Sequence, residues 1–115
     1  MVFECHDISA EPWAAAFTGE EVVEKSTWNG FHQTPLESIL RNKGITAVAG
    51  FGLITSRCVH QTMFGAFNLG YRTIVIEDCC GDRSRERHDA ELMLNGGSMY
   101  EVITSDEFIE AISDT

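Results

Sequence analysis

One cysteine of this sequence stands where a thiol could act as a nucleophile. Cys58 follows the apolar run 45–50 (ITAVAG) and a short turn, and Thr55 is a plausible N-cap for a helix that begins there. A thiol in the first turn of a helix lies among unpaired backbone N–H groups and near the positive end of the helix dipole. This setting favours the thiolate and supplies donors for an oxyanion, which indicates acyl-transfer chemistry. A buried structural cysteine is the alternative interpretation.

Charged residues stand at the ends of other predicted strands. Lys25 ends the second of these strands, Asp78 follows the run 72–77 (RTIVIE), and Asp7 follows the first strand. The carboxyl ends of parallel strands share one edge of a sheet, so all three residues are expected on the edge that carries Cys58. Lys25 would stabilise a thiolate there, although an ordinary surface lysine fits the sequence as well. A loop cap is the favoured interpretation of Asp78, with an acid or base role as the alternative.

Strand and helix patterns alternate along the chain, and the strands and helices that they predict must position these residues. Strand-like runs cover 1–5, 21–24, 45–50, 72–77 and 100–104. Helical patterns cover 34–44, 55–68, 84–95 and 105–112. Regular alternation of this kind predicts an α/β fold with three layers, in which a parallel sheet carries helices on both faces and the crossovers are right-handed.

The composition limits the classes of function. With 115 residues the chain fits one domain, and its net charge of −10 argues against nucleic-acid binding, which needs clustered Lys and Arg. No apolar run is long enough to span a membrane, and the N-terminus lacks the layout of a secretory signal. The four cysteines match no zinc spacing, so neither a metal nor a cofactor is expected, and a reduced cytoplasmic protein is the simplest interpretation. The adjacent residues Cys79 and Cys80 leave a redox role open.

Several segments, taken in order, resemble the isochorismatase-like cysteine hydrolases, a superfamily that includes isochorismatases, nicotinamidases and N-carbamoyl amidohydrolases. The matching segments are 23–31 (VEKSTWNGF), 34–40 (TPLESIL), 52–59 (GLITSRCV) and 102–107 (VITSDE). The resemblance extends over nearly the whole chain. The segment around Cys58 is fairly specific, and the ordered series is more specific than any one segment.

The resemblance assigns roles to residues of this chain. Cys58 would attack a carbonyl or amide carbon, and Lys25 would be its charge partner. A cis peptide bond between Leu53 and Ile54 would precede the cysteine, and this turn and the Cys58 amide would form the oxyanion hole. Because some true isochorismatases lack the cysteine, its presence here favours a small amide or a related acyl substrate.

The resemblance also has a gap at its start. The family's catalytic aspartate lies on its first strand, in a segment like Ile-Asp-Met-Gln, whereas residues 1–7 (MVFECHD) resemble the family's second strand. The chain is therefore expected to be a single domain, 1–115, that lacks the first β–α unit, with Asp7 or Asp78 as the replacement acid. The alternatives are a non-catalytic binding or interaction module, a site completed by a partner chain, and a first strand encoded upstream.

The gap would fall in the middle of the sheet. In the family's strand order 3-2-1-4-5-6 the missing strand is central, and unpaired buried backbone is costly. The remaining strands could pair directly, a second copy could pair across the open edge, or another polypeptide could supply the strand. Self-association is the favoured expectation, because so short a chain with an open edge is marginal alone. A homo-oligomer that acts on a small molecule is therefore predicted.

Overall fold

The structure is a computed structural model that describes residues 2–5 and 16–113. Its strands are β1 (Val2–Cys5), β2 (Val22–Lys25), β3 (Ala47–Leu53), β4 (Arg72–Gly81) and β5 (Glu101–Ile103). Its α-helices are α1 (Leu36–Asn42), α2 (His60–Asn68), α3 (Arg85–Asn95) and α4 (Ser105–Ser113). One π-helical turn, Thr55–Val59, leads directly into α2 and is called the Cys58 turn below.

All the strand pairs are parallel, which confirms the predicted α/β class, but the strands form two separate sheets. β1 pairs with β2, and Cys5 lies opposite Lys25 in their register. The second sheet has the order β3–β4–β5. In the part of the chain that the structure describes, no ladder joins the two sheets. The described strands therefore do not pair directly across the gap, which was one of the three expected arrangements.

The central strand β4 is covered on both faces. Val75 and Ile76 are 0% and 3% exposed, and consecutive side chains of a strand point to opposite faces. Val75 packs in a core cluster with Val59 and Met63 from the segment that follows β3. The β-branched run therefore forms the buried strand that its composition predicts.

Strand β4 is longer than the sequence pattern indicates. It continues to Gly81, because its last residues pair with β3 beyond an irregularity between Gly50 and Gly52. Asp78 therefore lies within β4 rather than after it. The register brings the end of β3, just before the Cys58 turn, beside the end of β4.

Helices α1 and α2 connect the two sheets through one apolar cluster. Val23 of β2 packs with Leu36 and Leu40 of α1, and the cluster is completed by Ala66 and Tyr71. Within residues 16–113 and 2–5, no helix is long and apolar enough to cross a membrane.

Strand β3 is less covered than β4. Two of its large apolar side chains, Phe51 and Leu53, are 63% and 72% exposed. Its described pairing partner is β4, so β3 is the outer strand of its sheet. Among the described residues, the edge of β3 away from β4 has no strand paired with it; the open edge expected from the sequence stays a prediction.

Candidate active site

The Cys58 turn begins directly after a cis peptide bond. The bond joins Leu53 to Ile54, at the position that the resemblance implies. The backbone N–H of Val59 donates to the carbonyl oxygen of Ile54 at 3.2 Å, which closes the wide loop typical of a π-helix. Cys58 lies in this turn and is partly exposed, so its thiol is not sealed in the core.

Thr55 holds the Cys58 turn in a different way from the one predicted. The N-cap position is occupied by Ile54, and no side chain caps the turn, so the prediction that Thr55 is the N-cap is wrong. Instead, the Thr55 hydroxyl lies 2.8 Å from Nδ1 of His88, and both side chains are buried. The hydroxyl is thus engaged by α3 and is not directed at the backbone of its own helix.

Asp82 makes a second contact with the same turn. The backbone N–H of Ser56 donates to its carboxylate at 2.8 Å. N–H groups at a helix start lack partners within the helix and favour a negative charge nearby. Burial opposes ionisation, but the hydrogen bonds from Ser56 and neighbouring groups still lower the pKa of Asp82 below its usual value. The segment after β4 therefore fixes the Cys58 turn.

Lys25 and Cys58 are brought together from positions 33 residues apart in the chain. The Lys25 ammonium lies 3.4 Å from the Cys58 sulfur, and it also donates to the carbonyl oxygen of Thr27 at 3.0 Å. Lys25 is 9% exposed, which excludes the ordinary surface lysine that the sequence left open. The contact places a positive charge directly beside the sulfur, where it would attract any negative charge that develops on that atom during a reaction.

Helix α2 fixes the segment that follows Lys25. The Thr62 hydroxyl accepts a hydrogen bond from the Gly30 backbone at 2.9 Å and lies 3.3 Å from the Trp28 carbonyl oxygen. At Gly65 a Cβ atom would lie 3.0 Å from the side chains of Asn29 and Phe31. A glycine in mid-helix therefore allows this segment to lie directly on α2.

An open cleft of about 280 Å³ lies along this segment. Trp28 forms part of its wall, and the Arg57 guanidinium lies 5.0 Å from the centre of the indole ring. The other lining residues are Thr27, Asn29, His32 and Gln61. The cleft has polar and aromatic lining residues, and one of them, Thr27, also accepts a hydrogen bond from Lys25.

Two acids, Asp7 and Asp78, are expected to replace the family's aspartate. Asp7 lies outside the described residues. Both carboxylate oxygens of Asp78 are held by Ser105, whose N–H donates at 2.7 Å and whose hydroxyl also contacts the carboxylate. The hydrogen bonds from Ser105 lower the pKa of Asp78. Among residues 16–113, no carboxylate is hydrogen-bonded to the Lys25 ammonium or the Cys58 thiol.

A further buried polar cluster lies next to the Cys58 turn. The carboxylate of Glu91 lies 2.8 Å from Nδ1 of His60, and it accepts hydrogen bonds from Tyr100 at 2.8 Å and Asn95 at 2.9 Å. Burial and the nearby Glu91 raise the pKa of the Tyr100 hydroxyl. The cluster joins α3 to the start of α2, directly after the Cys58 turn.

No group of three or more His, Cys, Asp or Glu side chains in residues 16–113 is arranged to hold a metal ion.

Comparisons with known proteins identify the family of the chain and agree with the fold. Residues 8–107 match the protein family described as the isochorismatase domain. A maleamate amidohydrolase from Pseudomonas putida is 31% identical over 94 residues, which is 82% of this chain and 44% of that protein. The chain spans about half the length of the curated relatives it matches.

Two solved structures have a similar fold. An isochorismatase-like hydrolase from Alkaliphilus metalliredigens has a TM-score of 0.85 and 28% identity, over 89% of this chain and 56% of that one. N-carbamoylsarcosine amidase from Thermoplasma acidophilum has a TM-score of 0.73 and 32% identity, over 84% of this chain and 54% of that one.

Proposed function

The chain belongs to the isochorismatase family, and from this premise we propose that it hydrolyses a small amide or a related acyl substrate through Cys58. The observation that carries the proposal is the 3.4 Å contact between the buried Lys25 ammonium and the Cys58 sulfur. Two relatives, maleamate amidohydrolase and N-carbamoylsarcosine amidase, are named as enzymes that act on amide substrates. Both names support an amide as the substrate class.

The proposed reaction has two stages. The Cys58 thiolate, stabilised by Lys25, attacks the carbonyl carbon and forms a tetrahedral oxyanion. Backbone N–H groups of the turn at Leu53, Ile54 and Cys58 would receive that oxyanion. Expulsion of the protonated amine leaves a thioester on the sulfur. A water molecule then attacks the thioester, releases the acid and restores the thiol.

The thiol proton needs an acceptor, and we favour Asp7 over Asp78. Cys5 lies opposite Lys25 in the register of β1 and β2, and Asp7 follows Cys5 by two residues in the sequence. The Asp78 carboxylate is already engaged by Ser105. A positioned carboxylate acting as a general base accelerates such a step about 10²–10⁴-fold.

The test is ammonia release from a panel that includes maleamate and nicotinamide. Cys58→Ala should lower turnover at least about a thousandfold, because the bond-forming atom is lost. Asp7→Asn should lower kcat about 10²–10⁴-fold, whereas Asp78→Asn should leave it nearly unchanged. Cys79→Ala, which removes an exposed thiol, is the matched control and should keep full activity.

Two results would contradict the proposal. One is the absence of turnover across the panel together with a Cys58 thiol that iodoacetamide alkylates no faster than it alkylates Cys79. The other is hydrolysis that survives Cys58→Ala. Loss of activity in Asp78→Asn, with Asp7→Asn fully active, would reverse the assignment of the base.

A further inference from the structure

The side chain of Thr62 joins the helical segment that carries Cys58 to the segment that follows Lys25. Thr62 comes four residues after Cys58, and the Cys58 turn continues into α2 without a break. The Thr62 side chain is buried, and its hydroxyl accepts the Gly30 N–H at 2.9 Å and donates to the Trp28 carbonyl oxygen at 3.3 Å. The hydroxyl therefore acts as both donor and acceptor between the two parts of the site.

These hydrogen bonds belong to a closed ring of contacts that includes the site. The Lys25 ammonium lies 3.4 Å from the Cys58 sulfur and donates to the Thr27 carbonyl oxygen at 3.0 Å. Thr27 is bonded directly to Trp28, whose own carbonyl oxygen faces the Thr62 hydroxyl. The ring thus runs from the sulfur to the ammonium, along the backbone to α2, and back along the helical segment to the sulfur.

We propose that Thr62 is a positioning residue whose hydroxyl sets the distance between the Lys25 ammonium and the Cys58 sulfur. The proposal rests on the roles of Cys58 and Lys25 proposed above. It adds a residue that acts through Lys25 and not on the substrate.

The physical reason lies in the buried backbone at Gly30. Without the Thr62 hydroxyl, the Gly30 N–H would be left buried and unpaired, which is costly. A shift of the segment 27–30 that brings this N–H to water becomes favourable. The Thr27 carbonyl moves with the segment, and the ammonium that donates to it moves away from the sulfur. Its attraction for negative charge on the sulfur then weakens.

The experiment measures alkylation of Cys58 by iodoacetamide at pH 7, which needs no substrate. Peptide-resolved mass spectrometry separates Cys58 from the exposed Cys79, which serves as an internal reference. Thr62→Val keeps the shape of the side chain without its hydroxyl and should slow alkylation of Cys58 about two- to fivefold. Thr62→Ser retains the hydroxyl and should keep nearly the original rate. The rate at Cys79 should be the same in every protein.

A double-mutant cycle with Lys25→Met separates positioning from a general loss of structure. Lys25→Met alone should slow Cys58 at least about tenfold, because water screens a buried ammonium only weakly. Thr62→Val should have no further effect in that background, since it acts through Lys25. Thr73→Val is the matched control: this threonine is also buried, and its hydroxyl donates to the Met99 carbonyl oxygen at 2.6 Å. Its loss should leave the rate at Cys58 unchanged.

Urea denaturation shows whether each variant is folded, and Thr62→Ala replaces Thr62→Val if the valine variant is not. An unchanged rate without the hydroxyl overturns the proposal, as does equal slowing with and without Lys25 or an equal effect of Thr73→Val. If Lys25→Met leaves the rate unchanged, the role of Lys25 fails and that of Thr62 with it. Absence of hydrolysis across the amide panel counts against the proposed function, whereas the alkylation cycle still decides whether Thr62 positions Lys25.

Discussion

At the scale of single residues, the three cysteines among residues 16–113 occupy different surroundings. Cys58 is partly exposed beside Lys25, and Cys79 is exposed on β4. Cys80 is half-buried, and burial raises the pKa of its thiol to about 11. Because neighbouring residues of a strand point to opposite faces, Cys79 and Cys80 are poorly placed to react with each other. The redox role left open by their adjacency has no support in this geometry.

The raised pKa of Cys80 predicts a loss of stability in alkaline solution. Between pH 9 and about 11 the folded chain keeps a proton on Cys80 that the unfolded chain has released. Stability is therefore complete below pH 9 and falls as the pH rises through this window. Cys80→Ala should reduce this fall by about 1–2 kcal/mol at most, since the thiol is only partly buried.

Urea denaturation at intervals from pH 8 to 11 measures the effect. Cys79→Ala should follow the unmodified chain, because that thiol is exposed. The raised pKa of Tyr100 acts in the same direction, and its main causes, burial and Glu91, are common to all three proteins. Parallel pH profiles for Cys80→Ala and the unmodified chain would contradict the assignment.

The sequence predicted that two residues of the candidate site lie close together, and the structure places them in contact, while their catalytic roles stay a prediction. Cys58 and Lys25 could be found because each follows or ends a strand of a parallel sheet, and the resemblance supported both. The contacts of Asp82 with Ser56 and of His88 with Thr55 could not, because the partners are 26 and 33 residues apart. No local pattern marks such a pair. The residues next to Thr55 in the sequence therefore indicate only a capping role for it.

At the scale of elements, the turn after α3 depends on two glycines for different reasons. Gly96 has an ordinary backbone conformation, but a Cβ atom there would lie 2.4 Å from the carbonyl oxygen of Leu92 and 2.8 Å from Val102. Gly97 has φ of +82° and open space around its Cα. A side chain at position 96 is excluded by contact with neighbouring atoms, whereas a side chain at position 97 is disfavoured by backbone strain.

Alanine substitutions should separate these causes. Gly96→Ala should lower the free energy of unfolding by about 1–3 kcal/mol, because a backbone atom cannot move aside as a flexible side chain does. Gly97→Ala should cost about 1 kcal/mol, and Gly97→Asn less, since asparagine tolerates positive φ. Urea denaturation gives all three values. Equal costs for Gly96→Ala and Gly97→Ala, or a neutral Gly96→Ala, would disprove this account.

Element boundaries show where sequence patterns stop being informative. The alternation of β-branched and amphipathic runs predicted the order of strands and helices. It did not predict that β4 continues to Gly81, because those residues become a strand by pairing with β3 beyond the irregularity at Gly50. The Cys58 turn likewise receives contacts from distant parts of the sequence, namely His88 of α3 and Asp82 after β4, which no local pattern predicts.

At the scale of the whole molecule, the division into two sheets leaves β3 as an outer strand with exposed apolar side chains. Such an edge favours pairing with another chain. We expect the protein to self-associate, and sedimentation should give at least twice the 12.8 kDa mass of the chain. The division itself was one of several arrangements compatible with the sequence, since a strand's partners are set by packing across the fold.

A charge placed on β3 tests this expectation. Phe51→Lys should shift the protein toward the monomer, because a buried lysine would lose its hydration at an interface. Met93→Lys is the matched control, since Met93 is similarly exposed at 76% but lies on α3. A monomeric unmodified chain at high concentration, or an equal shift in Met93→Lys, would rule out an interface through β3.

The contact between Lys25 and Cys58 has a consequence for the molecule as a whole. Lys25 belongs to the two-stranded sheet, whereas Cys58 follows the outer strand of the three-stranded sheet. A slide of one sheet past the other by an ångström or so would change the attraction between ammonium and thiolate, which depends on their separation. If Cys58 is the nucleophile that we propose, its reaction rate therefore depends on the position of one sheet relative to the other. A ligand or a second chain that tightens or loosens them would change that rate without touching the sulfur.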